Sequence, residues 1–160
     1  HPKSSTENER TTIVVENKGR TREEFDELVS RELEKRGIEL IVLIGYMRLL
    51  STPFVRKYAN KIMNIHPSLL PDFPGMDLDV QAEVIKSGRE TSGCTLHFVD
   101  EGTDTGPIIL QKTVGVADGE TPESLKKKIQ PLEAIALLEG INAFAKGKIK
   151  VEERHVIVGE

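Results

Sequence analysis

Three polar side chains suited to acyl transfer lie in two short motifs of this sequence. Asn64 and His66 are two residues apart in Asn-Ile-His-Pro, and Asp104 begins Asp-Thr-Gly further along the chain. An amide can donate a hydrogen bond to an oxyanion, an imidazole can move a proton, and a carboxylate can hold that imidazole. Together these groups could stabilise a tetrahedral intermediate at a reacting carbonyl carbon.

The first two side chains end an apolar run, residues 62–66, that is typical of a β-strand. Alternate side chains of a strand share a face, so Asn64 and His66 should project in the same direction. A proline-rich loop follows at once, and open α/β sheets bind ligands beyond the ends of buried strands. Structural roles stay open for each residue taken singly, because Asn64 and His66 could brace that loop and Asp104 could simply occupy a turn.

Asp104 belongs to an acidic loop, residues 100–106, in which three carboxylates are flanked by glycines. The loop lacks the regular ligand spacing and terminal glutamate of a calcium loop, and the chain has no Cys/His zinc spacing. We therefore predict a loop that contacts a substrate and no metal site. His97, upstream of this loop, could line the same site or be a satisfied core histidine.

The strand predicted at residues 40–44 runs directly into Met47-Arg48-Leu49-Leu50. These residues could pack the start of the next helix, with Arg48 in solvent. They could equally form the apolar edge of a pocket beside the catalytic strand. The sequence alone leaves both interpretations open.

Hydrophobic periodicity and turn residues predict an α/β protein in which strands and helices alternate, with antiparallel strands towards the C-terminus. A capping-box pattern begins the first helix at Thr21, and Pro131 should kink or split the last one. The predicted strands are residues 11–15, 40–44, 61–66, 94–99 and 108–116, with a hairpin at 148–151 and 155–158. The predicted helices are 21–36, a short helix that begins at 51–53, 78–86 and 121–145.

Composition limits the classes of function that fit this chain. Its 160 residues predict one domain, residues 1–160, with 1–10 disordered. A formal net charge of −4 gives no basic surface for nucleic acid, and no apolar stretch is long enough to span a membrane. The single cysteine, Cys94, fits a reducing cytoplasm, where we expect the protein to be located.

The motifs NIHPSLLP, SGCTLHFVDEGTDTGPIILQ and IGYMRLLSTPFV together resemble the phosphoribosylglycinamide formyltransferase family, which are folate-dependent enzymes of purine synthesis. The resemblance runs from about residue 11 to 158. It implies a Rossmann-like formyltransferase fold with a mostly parallel central sheet, antiparallel additions and flanking helices. It also implies formyl transfer from 10-formyltetrahydrofolate, a co-substrate, to the amine of glycinamide ribonucleotide, without a metal.

The same resemblance implies a role for individual residues. Asn64, His66 and Asp104 match the catalytic trio, in which Asn64 and His66 would stabilise the tetrahedral intermediate with assistance from Asp104. The positions that match the folate-binding segments are Met47, Arg48, Leu49, Leu50, Asn64, Asp100, Glu101, Gly102, Thr103 and Asp104. Those that match the ribonucleotide-binding segment are Gln130, Pro131, Leu132 and Glu133.

The sequence departs from the family pattern at its start, where the glycine- and serine-rich phosphate loop and the first βαβ units are not found. A non-catalytic folate-binding fragment, or a degenerate relative, is therefore the main alternative. Methionyl-tRNA formyltransferase and formyltetrahydrofolate deformylase rank below it, because the chain lacks a basic surface and a regulatory domain. A homodimer could cover the sheet edge that the missing units would leave open.

Overall fold

A computed structural model describes residues 10–44, 49–75 and 79–160. The helices are α1 (Arg22–Lys35), α2 (Thr52–Lys57), α3 (Val80–Lys86) and α4 (Pro122–Ala145). The strands are β1 (Ile41–Leu43), β2 (Ile62–His66), β3 (Thr91–Phe98), β4 (Ile108–Gly115), β5 (Ile149–Glu152) and β6 (His155–Val158).

Four strands form one mixed sheet in the order β1-β2-β3-β4, and β5 and β6 form a separate hairpin. The β1–β2 pair is parallel, whereas β2–β3 and β3–β4 are antiparallel. The α/β class with antiparallel additions is thus confirmed, and the parallel part of the described sheet consists of β1 and β2. Hydrophobic alternation predicted β3 but carries no information about its direction, which depends on the strand beside it.

Two expectations for the first half of the chain need correction. No strand forms at residues 11–15, where Val14 is 79% exposed, since no neighbouring strand in the described residues offers ladder partners. Strand β1 exists, but its side chains are half-buried rather than covered on both faces. The prediction of disorder at residues 1–10 falls, apart from Arg10, outside the described residues.

Local sequence signals position the helices that frame the sheet. Thr21 Oγ1 accepts a hydrogen bond from the Glu24 N–H, while Glu24 Oε1 accepts one from the Thr21 N–H, so the predicted capping box begins α1. Helix α4 continues through Pro131 as one helix, and the predicted split does not occur. No helix in the described part of the chain is both long and apolar enough to cross a membrane.

The core lies between one face of the sheet and α4. Cys94, Leu96 and Phe98 of β3 cluster there with buried apolar residues of α4, as the alternation along β3 predicts. Gly140 permits the close approach of α4, because a Cβ at this position would lie 2.2 Å from Leu96 Cδ2. The alternate β3 residues Thr95 and His97 point to the other face. That face therefore carries the polar groups of the candidate site.

Candidate functional site

The Asp104 carboxylate lies between two buried histidines. Its Oδ2 atom is 3.5 Å from His66 Nδ1, and its Oδ1 atom is 3.6 Å from His97 Nε2. The Gly75 N–H donates to the same Oδ2 at 2.7 Å. The carboxylate thereby links the end of β2, strand β3 and the loop that follows β2.

The ring of His66 is held from both sides. Its Nε2 is 2.7 Å from the Phe73 carbonyl oxygen, and because a carbonyl oxygen only accepts, the proton lies on Nε2. The Ser68 hydroxyl donates to Asp72 O at 2.6 Å and contacts Phe73 O at 3.3 Å, so the same loop is itself fixed. His66 is 4% exposed. The Phe73 carbonyl thus occupies the nitrogen that would otherwise be available to a substrate.

Asn64 and His97 are direct cross-strand partners of β2 and β3. His97 Nδ1 lies 3.0 Å from Phe98 O and must donate to it, so Nε2 accepts the hydrogen bond from Asn64 Nδ2 at 3.4 Å. Burial lowers the pKa of His97, although the Phe98 carbonyl and Asp104 act in the opposite direction. A neutral His97 therefore engages one N–H of the Asn64 amide and leaves the second available.

A cavity of about 220 Å³ lies beside these groups. Its walls include Asn64, His97, Leu49, Leu50 and all five residues from Asp100 to Asp104. Most of the residues predicted to contact folate therefore line one cavity, whereas Met47 and Arg48 lie outside the described residues. Arg22 also lines it and was missed, because no local signal connects the first turn of α1 with the strands that follow it in the chain.

A larger cavity of about 630 Å³ adjoins Pro67, the residue after His66. Gln130 and Glu133 of α4 line it together with Gln81 and Lys126. Burial raises the pKa of the Glu133 carboxyl, and Lys126 partly offsets this effect. Of the remaining predicted ribonucleotide contacts, Leu132 packs against the core and Pro131 is exposed on α4.

The loop that carries Asp104 packs so closely against β3 at Gly106 that no side chain fits there. A Cβ at this position would lie 1.7 Å from the Phe98 carbonyl oxygen, which is rigid backbone of β3. Gly106→Ala should therefore lower the free energy of unfolding by about 3 kcal/mol or more, at the upper end of overpacking costs. Denaturant unfolding of both variants tests this, with Gly115→Ala as the control, since a Cβ there meets nothing within 4 Å. Equal stability of the two variants would contradict the close packing of Gly106 against the Phe98 carbonyl.

No group of three or more His, Cys, Asp or Glu side chains in residues 10–44, 49–75 and 79–160 is arranged to hold a metal ion.

Comparison with known proteins places these motifs in a family. A family model described as formyl transferase matches residues 2–141. The trifunctional purine biosynthetic protein adenosine-3 of Chironomus tentans is 40% identical over 144 residues, which cover 90% of this chain and 10% of that protein. The phosphoribosylglycinamide formyltransferase of Bacillus subtilis is 45% identical over 109 residues, which cover 68% of this chain and 55% of that enzyme.

The fold gives the same result. The crystal structure of glycinamide ribonucleotide transformylase 1 from Symbiobacterium toebii matches with a TM-score of 0.82 and 42% identity, covering 88% of this chain and 65% of that one. The chain thus spans about half the length of the Bacillus relative and a tenth of the trifunctional one. Because the family model covers most of the chain, including every residue of the predicted catalytic trio, this chain belongs to the formyl transferase family.

Proposed function

We propose that this protein transfers a formyl group from 10-formyltetrahydrofolate to the amine of glycinamide ribonucleotide. The observation that carries the proposal is the Asp104 carboxylate, held within 3.6 Å of two imidazoles at the wall of a cavity that Asn64 also lines. Such a cluster can bind an oxyanion and move a proton, which are the two tasks of formyl transfer between nitrogen atoms.

In the proposed reaction the substrate amine attacks the formyl carbon, and the carbonyl oxygen becomes an oxyanion. Asn64 donates its second N–H to this oxygen, because His97 already accepts the first. The hydrogen bond to His97 also fixes the orientation of the amide before substrate binds. Preorganised donors of this kind are effective because they need no rearrangement during the reaction.

The intermediate collapses when the bond between the formyl carbon and the folate N10 breaks. The attacking amine loses one proton, and the departing N10 gains one, so the protons balance. Asp104 is placed to accept and relay this proton through its contacts with His66 and His97. His66 Nε2 can reach substrate directly only if substrate takes the place of the Phe73 carbonyl.

The two cavities suit the two substrates. We assign the folate to the 220 Å³ cavity, where Leu49 and Leu50 offer apolar surface and Arg22 offers a cation for the carboxylates of the glutamyl end. We assign the ribonucleotide to the 630 Å³ cavity, where Gln130 and Glu133 offer hydrogen-bond partners for ribose hydroxyls.

A formyl-transfer assay on the full-length protein tests this function. Incubation with 10-formyltetrahydrofolate and glycinamide ribonucleotide should yield the formylated ribonucleotide and tetrahydrofolate in equal amounts. Formate released without the ribonucleotide would indicate a deformylase, and formylation of methionyl-tRNA would indicate that acceptor. Folate binding with none of these products would support the non-catalytic alternative and contradict the proposal.

Three further parts of the proposal concern the protein's surroundings. We expect it to act in the cytoplasm on small molecules, without nucleic acid or a membrane. We also expect a homodimer, in which a second copy covers the edge of β1 that has no strand partner among the described residues.

A further inference from the structure

The loop that carries Asp104 is contacted by Arg154, a residue of the β5–β6 hairpin, which is distant in the sequence. Arg154 Nη2 donates to Asp100 Oδ2 at 2.8 Å and also contacts the Thr105 carbonyl oxygen. Asp100 Oδ1 in turn accepts hydrogen bonds from the Thr105 hydroxyl at 2.7 Å and the Gly102 N–H at 2.9 Å. One guanidinium thereby contacts both Asp100 and Thr105, near the two ends of the acidic loop.

The hairpin that carries Arg154 is anchored by its own contacts with the rest of the protein. Val151 and Val156 pack against the main core, and the two strands are joined by the two-residue turn Glu153–Arg154. The Gly159 N–H donates to Lys148 O at 2.7 Å and closes the open end of the hairpin. Arg154 therefore connects the acidic loop to a part of the molecule that is anchored independently of it.

The acidic loop needs such support because of the backbone at Asp104. Asp104 has φ of +54°, in the left-handed region that costs energy for a residue with a Cβ. Strained residues keep their conformation only when the surrounding contacts enforce it. Arg154 contacts the carbonyl oxygen of Thr105, the next residue, while the Gly75 N–H donates to the Asp104 carboxylate.

We propose that Arg154 is a positioning residue for formyl transfer, which keeps the Asp104 carboxylate between His66 and His97 by fixing the acidic loop. The proposal rests on the function proposed above. Arg154 does not touch the folate cavity, so its effect on the reaction must pass through Asp100 and Thr105. Burial raises the pKa of Asp100, but the hydrogen bonds from Arg154, Thr105 and Gly102 outweigh burial and lower it.

The test compares Arg154→Gln with the wild-type full-length protein. We expect kcat to fall by about ten- to a hundred-fold, because misplacing a catalytic group by about 1 Å can cost a hundred-fold in rate. Amide hydrogen exchange in residues 100–105 should become faster, and the NMR signals of the His66 and His97 rings should shift. Arg154→Lys should recover part of kcat, since the lysine ammonium keeps the charge and can donate to the oxygens that Arg154 Nη2 contacts, but it lacks the rigid planar geometry of the guanidinium.

Arg31→Gln is the matched control, because Arg31 forms an exposed ion pair with Glu27 on α1, at 3.3 Å, away from the acidic loop. It should leave kcat and loop exchange unchanged, with a melting temperature close to that of Arg154→Gln. Wild-type kcat or unchanged loop exchange in Arg154→Gln would overturn the proposal. If the wild-type protein shows no formyl transfer, the proposed function fails, and hydrogen exchange in the acidic loop alone then decides whether Arg154 supports that loop.

Discussion

Replacing Asp104 by asparagine should lower kcat for formyl transfer by about 10²–10⁴-fold, the usual contribution of a positioned acid–base group. Asparagine keeps the size of the side chain and can still accept from the Gly75 N–H, so the loop should retain its shape. It removes the charge that faces His66 Nδ1 and His97 Nε2, and with it the proton acceptor. The dissociation constant for folate should change little, because Asp104 is one of many residues that line the cavity.

Steady-state kinetics with both substrates and direct titration of a folate analogue measure these two quantities separately. Asp72→Asn is the control, because the Asp72 carboxylate pairs with Arg89 on the surface of the neighbouring loop, at 2.6 Å. That variant should keep wild-type kcat. An Asp104→Asn enzyme with unchanged kcat would remove Asp104 from the mechanism, and a large loss of folate affinity would show that its role is binding.

The sequence predicts those parts of the site that depend on local spacing. Asn64 and His66 are alternate residues of a strand, so their common face follows from the two-residue repeat. The capping box at Thr21 and Glu24 likewise requires only the geometry of one helical turn. The antiparallel pairing of β3 with β4 follows from the short connection between them. In each of these features, the residues that interact lie within about twenty positions of each other in the sequence.

The contacts that shape the chemistry cross larger distances and could not be predicted in this way. Asn64 was expected to act beside His66, yet the hydrogen bond it makes is to His97, which the register of two antiparallel strands brings opposite to it. The Phe73 carbonyl on His66 depends on how the loop after β2 folds back. Arg154 and Asp100 are 54 positions apart. Single polar residues at such separations leave no periodic signal in the sequence.

Asn64→Ala is the second substitution with a large expected effect, a decrease in kcat of about 10²–10³-fold, which is typical for loss of one oxyanion donor. The competing explanation is that Asn64 only orients His97, through its 3.4 Å hydrogen bond.

A double-mutant cycle with His97→Gln separates direct oxyanion binding by Asn64 from an effect through His97. If Asn64 binds the oxyanion directly, the double variant should be clearly slower than His97→Gln alone. If Asn64 acts only through His97, the double variant and His97→Gln should have the same kcat, and the direct role is wrong. Asn142→Ala, at an exposed position of α4, controls for nonspecific effects of removing an amide.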